Sequence, residues 1–332
     1  MAQQLEEQIF DPSIPFEERA VAVYQYQMRH CAPYRRYVES LYGQQYNPAD
    51  LASIPLMPVE VFREVSVLSD EIEQPEVVFR SSGTSSMKRS HHHVAKVSLY
   101  ERAIRVGFNR RYGIKNPVIL AYTPGYNENP ESSLIYMLNY LIAQDTTGKS
   151  HFLDVDDPPD QQHLGQLYEA QQRPILLFGA AFGLLDWIEK KQVSLPEDTI
   201  IMETGGMKTH RREMTKHQLR HQLAEGFAIK PEKIHSEYGM TEMLSQAYAY
   251  GDPWFYPADS LKVTIRDEAD PDFEVDYGES GVIGIYDLAN LYSCSFFQTS
   301  DTGVARDDGA FQVSGRATGG TLRGCNFLLE ED

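Results

Sequence analysis

Five short stretches of the 332-residue sequence carry side chains able to handle a phosphorylated ligand. The first, Arg80-Ser81-Ser82-Gly83-Thr84-Ser85-Ser86-Met87-Lys88, follows the apolar run Val77-Val78-Phe79. Hydroxyls around a glycine let backbone amides and side-chain donors close on phosphate oxygens. The second glycine and the Lys-Ser/Thr pair of a Walker loop are missing, and a solvated turn accounts for the same residues. The second stretch is Tyr238-Gly239-Met240-Thr241-Glu242. A strand ending there presents a ring, a hydroxyl and a carboxylate at the carboxyl edge of a sheet. Thr241 can donate to a phosphate oxygen, and Glu242 can hold a magnesium ion. The plainer alternative is a helix start capped by Thr241, with Glu242 in its first turn.

In the third, Thr299-Ser300-Asp301-Thr302-Gly303, an ionised Asp301 accepts only, and its two oxygens can take both hydroxyls of a ribose. A hairpin turn uses the same residue types. The fourth pairs Gly315-Arg316 with Arg323-Gly324-Cys325, whose arginines suit ribose or phosphate, or surface ion pairs of small worth. The fifth, Glu203-Thr204-Gly205-Gly206-Met207, ends a strand on a diglycine. A flat ring can lie on such bare backbone, or the glycines merely stop the strand.

These stretches need a frame. Glu17 to Arg29 carries Ala20, Val23, Tyr24 and Met28 near helical spacing, and Pro48, Pro55 and Pro58 then impose an extended connector. Val118 to Tyr122, Ile175 to Phe178 and Thr199 to Met202 read as buried strands. Between and beyond them, Leu134 to Ile142, Phe182 to Lys191 and Arg211 to Glu225 read as helices. Alternation of this kind predicts an α/β fold with a largely parallel sheet covered on both faces. After residue 252 the pattern turns to strands: Leu261 to Arg266, Gly281 to Asp287 and Ala310 to Ser314. The expected division is a helical N-terminal region over 1–70, an α/β core over 71–251, and a β subdomain with a short tail over 252–332.

Composition narrows the class. Acidic residues outnumber basic ones 48 to 30, a net charge of −18, which argues against nucleic acid or an anionic membrane as the main partner. No apolar run reaches the roughly 18 residues of a membrane span. The polar, acidic start lacks the character of a signal peptide, and three scattered cysteines suit a reducing, cytoplasmic setting. Cys31 and Cys294 read as core residues. His91-His92-His93 resembles a ligand set, yet neighbours on a strand point to opposite faces, so solvated or phosphate-adjacent histidines are expected.

The order of these stretches resembles that of adenylate-forming enzymes. Phe79 to Thr84, Arg89-Ser90, Ser132 to Met137, Met202 to Lys208, His235 to Gln246, Asp287-Leu288-Ala289-Asn290 and Arg323 to Phe327 look like the LuxE-type acyl-protein synthetases, relatives of phenylacetate-CoA ligases. The resemblance implies the N-terminal domain of an adenylate-forming enzyme, mainly parallel sheets under helices plus a small β subdomain; the mobile C-terminal lid domain usual in those enzymes is expected to be absent, a departure from their pattern. It implies ATP and magnesium as cofactors and a carboxylic, fatty-type acid as substrate. The acid becomes an acyl-adenylate, and a thiol then takes the acyl group: Cys325, coenzyme A or a carrier protein. Residues 71–251 become the nucleotide- and acyl-binding core. By position, Ser81, Ser82, Gly83, Thr84, Ser85 and Lys88 match the triphosphate loop, and Gly205 and Gly206 the turn beside adenine. Tyr238, Gly239 and Met240 match residues packing on adenine and the acyl carboxylate. Thr241 matches the α-phosphate contact, Glu242 the magnesium ligand, Asp301 the ribose contact and Arg316 the late arginine. No lysine follows Lys262, so the usual lid lysine has no counterpart. The alternatives are an acyltransferase that loads Cys325 from a preactivated acyl group without ATP, and a non-catalytic nucleotide binder. A small buried hydrophobe is the plain reading of Cys325.

Overall fold

A computed structural model of the chain describes residues 2–81, 88–113, 116–125, 129–205 and 214–317. Three helices open it: α1 (Ala2–Gln8), α2 (Phe16–His30) and α3 (Ala32–Tyr42). On α2 the buried residues Ala20, Val23, Tyr24 and Gln27 recur every three or four positions, so one face packs inward. A short strand β1 (Met57–Pro58) and a single helical turn α4 (Val61–Glu64) follow, then β2 (Val77–Arg80) and β3 (His91–Val94), which pair antiparallel.

The α/β run comes next: α5 (Val97–Tyr112), β4 (Val118–Tyr122), α6 (Ser133–Ala143), β5 (His151–Phe152), α7 (Gln161–Gln171), β6 (Ile175–Ala180), α8 (Ala181–Lys190), β7 (Ile200–Thr204), α9 (Lys216–Gly226) and β8 (Ile234–Tyr238). Local chemistry sets several of these ends. The Ser132 hydroxyl caps α6 at the Ile135 amide, and Thr215 with Gln218 forms a reciprocal capping box on α9. Residues β9 (Ala247–Tyr250), β10 (Phe255–Pro257), β11 (Leu261–Arg266), β12 (Ser280–Asp287), β13 (Phe296–Ala305) and β14 (Phe311–Arg316) complete the chain order.

The strands β5-β4-β6-β7-β8 are parallel, as the alternation of strands and helices predicts. Every residue of β4 is buried, because its two faces meet two cores. Ile119 and Ala121 join the core under α5, α6 and the N-terminal helices; Val118, Leu120 and Tyr122 join the one under α7, α8 and α9. The sheet does not stop at residue 252. β9 pairs antiparallel with both β8 and β10, and Phe255 of β10 pairs with Phe311 of β14, so the sheet continues through β13 and β12 to β11.

The N-terminal residues lock onto this far half. β1 lies parallel to β13, Met57 opposite Phe297, and the Val59 amide bonds the Gln298 carbonyl at 2.9 Å. Gln27, fully buried, donates to the carbonyls of Asn290 and Leu291 and accepts from the Ser295 amide. A buried amide so fully bonded fixes α2 against the turn at 288–290. No helix among the described residues is long and apolar enough to cross a membrane.

Candidate active site

Strands β7 and β8 end side by side, with Gly205 following β7 and Gly239 to Glu242 following β8. Gly205 leaves β7 with φ 75°, a left-handed conformation open to glycine at little cost. Gly206 lies outside the described residues, as do Ser82, Gly83, Thr84, Ser85 and Cys325. Tyr238 closes β8; its ring sits edge-on to Phe311 at 5.3 Å and near Phe255 at 5.8 Å. Its hydroxyl donates to Asp301 Oδ2 at 3.0 Å. Gly239 is exposed and Met240 half-buried.

Asp301 is not in a hairpin turn. It sits within β13, opposite Arg316 of β14, and Arg316 Nε lies 3.4 Å from Asp301 Oδ1. The expected strand end at Ser314 runs two residues further, which creates this pair. A bulge at Thr302/Gly303 re-aims the strand just beyond it. Gly303 is obligatory there, because a Cβ would stand 2.1 Å from the Gln312 carbonyl oxygen. Tyr238, Asp301 and Arg316, distant in sequence, therefore meet. Each Asp301 oxygen retains a lone pair for a diol.

No helix starts at Thr241. The chain makes a turn and enters β9, because other groups claim the backbone. Asp287 Oδ2 accepts the amides of Leu244 and Ser245 at 2.7 and 2.9 Å, and Asn290 Nδ2 donates to the Glu242 carbonyl at 2.9 Å. His92 Nδ1 lies 2.8 Å from the Thr241 carbonyl oxygen. Strand alternation does separate the three histidines, but His92 is fully buried rather than solvated, and burial lowers its pKa to about 4. It is a neutral donor to that carbonyl. Among the described residues no cluster of three acidic, histidine or cysteine side chains can hold a metal ion.

Glu242 is 6% exposed, and burial raises its carboxyl pKa. The Ser90 hydroxyl and the positive charge of Arg63 oppose the shift, while Glu60 reinforces it. Ser90 also accounts for Ser81: the Ser90 amide donates to Ser81 Oγ at 3.0 Å, and the Ser81 amide to the Ser90 carbonyl at 3.1 Å. Lys88 diverges from this group, its Nζ held 2.5 Å from Glu64. Ser90 thus bonds Ser81 and favours the ionised form of Glu242, while Tyr238, Asp301 and Arg316 meet directly. Cys31 and Cys294 are buried core residues, as expected; burial pushes Cys31 up to about 12.

No family model matches the chain, and no curated protein matches its sequence. Solved structures do match. A 2-hydroxyisobutyryl-CoA ligase in the postadenylation state aligns with a TM-score of 0.62 at 13% identity, over 92% of this chain and 69% of that one. O-succinylbenzoate coenzyme A synthetase from Bacillus subtilis, in complex with AMP, aligns at 0.50 and 15% identity, over 73% and 49%. The fold is that of the adenylate-forming acyl-CoA ligases. The chain spans about half the length of the first structures it matches, such as 47% of ATP-bound MatB from Rhodopseudomonas palustris (12% identity, 72% of this chain, TM-score 0.48).

Within this ligase fold two buried carboxylates at the ends of β7 and β8 escaped sequence reasoning. Glu203 is held by Lys216 Nζ at 2.7 and 3.0 Å; Glu237 accepts the Thr204 hydroxyl. Burial, with Glu203 adding to it, pushes Glu237 from 4.5 to about 7 against the pull of Thr204 and Lys216. The folded pKa lies above the unfolded one, so the stability it confers is complete below the unfolded value and lost as pH rises through about 7. Glu237→Gln removes that loss. Between pH 5 and pH 8 the variant is expected to gain on wild type by about 2–3 kcal/mol, read from urea unfolding at both values. An identical offset at the two pH values would refute the assignment.

Proposed function

We propose that the protein activates a carboxylic acid with ATP and magnesium and then passes the acyl group to a thiol, in the manner of the LuxE-type acyl-protein synthetases. The observation that carries this reading is the meeting of Tyr238, Asp301 and Arg316, distant in sequence, supported by Ser81 bonded to Ser90 and the buried Glu242 whose charge Ser90 favours. The ligase fold supports it, and so does the order of motifs in the sequence.

The donor types fit the ligands. Glu242, the Thr241 hydroxyl and a buried Oε2 of Glu60 with no partner among the described residues are all oxygen donors, as magnesium requires. Magnesium, when bound, neutralises charge on the phosphates. Thr241 and Ser81, with Ser82, Gly83, Thr84, Ser85 and Lys88 by resemblance, would hold the phosphates. Asp301 and Arg316 would hold the ribose, while Gly205, Gly206, Tyr238, Gly239 and Met240 would flank the adenine and the acyl carboxylate. A carboxylate oxygen attacks the α-phosphorus and pyrophosphate leaves, giving the acyl-adenylate. Two anions must approach, so preorganised donors that offset their repulsion supply most of the catalysis. A thiolate then attacks the acyl carbon, and AMP leaves. Cys325 is the thiol proposed first, with Arg323 nearby in sequence to favour its thiolate; coenzyme A and a carrier protein are the alternatives.

Acid-dependent exchange of radiolabelled pyrophosphate into ATP tests the first step, with fatty acids expected to be the best substrates. Mass spectrometry after incubation with ATP, magnesium and the acid tests the second. An acyl adduct on Cys325, lost in Cys325→Ala, is the expected result. Folded protein that exchanges no pyrophosphate across a broad acid panel overturns the proposal.

A further inference from the structure

Of residues 60–64 only Glu60 has been given a role above, yet three of them touch the neighbourhood of the candidate stretches. Glu60 accepts the Ser300 hydroxyl at 2.8 Å, beside Asp301. Arg63 Nε donates to Ser90 Oγ at 3.4 Å, and that same hydroxyl favours the ionised form of Glu242. Glu64 holds Lys88. The placement of α4 is firm. Val61 and Phe62 are buried, Phe62 stands edge-on to His92 and Phe297, and β1 is hydrogen-bonded beside β13.

Arg63 is the unusual member. Its backbone is anchored, its side chain is exposed, and its terminal nitrogens Nη1 and Nη2 make no hydrogen bond or ion pair among the described residues. A guanidinium that served only to neutralise Glu242 would be expected to engage it directly, fork to carboxylate. Among the described residues it reaches Ser90 through Nε alone and leaves the fork open. Its neighbour Lys88 is already paired with Glu64. On a protein of net charge −18, a fork with no partner among the described residues is a local site for an anion.

We propose that Arg63 binds the phosphate groups of a nucleoside triphosphate beyond the α-position, its two terminal nitrogens bonding the portion that departs as pyrophosphate. This rests on the nucleotide reading above. The planar fork matches two phosphate oxygens at once, and the charge is fixed before the reaction begins.

Titration calorimetry of the full chain with Mg·ATP and with AMP tests it. In Arg63→Ala, affinity for Mg·ATP is expected to fall about 10- to 100-fold, the range for charge-assisted hydrogen bonds, while AMP changes less than about threefold. Arg63→Lys, which keeps the charge but not the fork, should recover part of the loss. Arg63→Gln answers the question if the alanine variant does not fold. Wild-type ATP affinity in both neutral variants overturns the proposal, and so does equal loss of ATP and AMP, which marks a structural role. Wild-type protein that binds neither nucleotide overturns the nucleotide reading itself, a result distinct from the other two.

Discussion

Glu242→Gln is expected to lower acid-dependent ATP–pyrophosphate exchange by about 100- to 1000-fold, the scale of removing one preorganised electrostatic group from a reaction centre. Stability is expected to hold or rise. Glu242 is buried, and its pKa lies above the usual carboxylate range because burial disfavours the ionised form. Ionising it at neutral pH therefore costs stability, which glutamine, of the same shape and uncharged, does not incur. The Ser90 hydroxyl still finds an oxygen to bond. A carboxylate kept in so unfavourable a place, with Arg63 and Ser90 arranged to ease its charge, suits a group that must be ionised when its cation arrives. The two readings separate cleanly. If Glu242 were structural, the glutamine variant would keep its exchange rate, or lose rate and melting temperature together. Calorimetry of Mg·ATP against metal-free ATP gives the second readout: the variant should lose most of the magnesium dependence of binding.

The frame of the molecule was readable from sequence where local pattern decides it. The strands β4, β6 and β7 are apolar because both faces are covered, and α6 and α8 show their buried stripe directly. The rim was readable only as separate words. That Asp301 faces Arg316 depends on a register between two strands and on a bulge at Thr302/Gly303, neither of which has a local signature. Thr241-Glu242 resembles a helix start on local chemistry alone. Tertiary partners decided otherwise, because Asp287, 43 and 42 residues away from Leu244 and Ser245, takes their amides first. Residues 57–64 resemble a proline-broken connector, and only the pairing of β1 with β13 brings Glu60 and Arg63 to the site. Glu203 lies in a strand whose apolar neighbours dominate the pattern, and Glu237 in one, Ile234-His235-Ser236-Glu237-Tyr238, that reads as half polar, so the burial of neither had a sequence signal.

Asp287 is where this tertiary control is concentrated, and Asp287→Ala is expected to cost about 3–5 kcal/mol of stability. The side chain is fully buried. Oδ2 accepts from the amides of Leu244 and Ser245 and from Asn290 Nδ2 at 3.3 Å; Oδ1 accepts from Ser245 Oγ at 2.6 Å and the Ala289 amide at 3.2 Å. Burial raises the carboxyl pKa, and the bonds from Ser245, Leu244 and Ala289 oppose that shift. Removing the acceptor leaves several donors without partners in a place water does not reach, each at the cost of desolvation. Asn290 also holds the Glu242 carbonyl, so the turn that carries Thr241 and Glu242 loses its anchor. Asp287→Asn keeps the volume but turns one acceptor into a donor facing donors, and should fall between wild type and alanine. Urea unfolding measures the first effect, and exchange activity per folded molecule the second. A loss under about 1 kcal/mol would mean that the donors find other partners. A large loss of stability with full activity in the folded fraction would mean that the turn keeps its geometry without Asp287, and that β8 and β9 alone position Glu242.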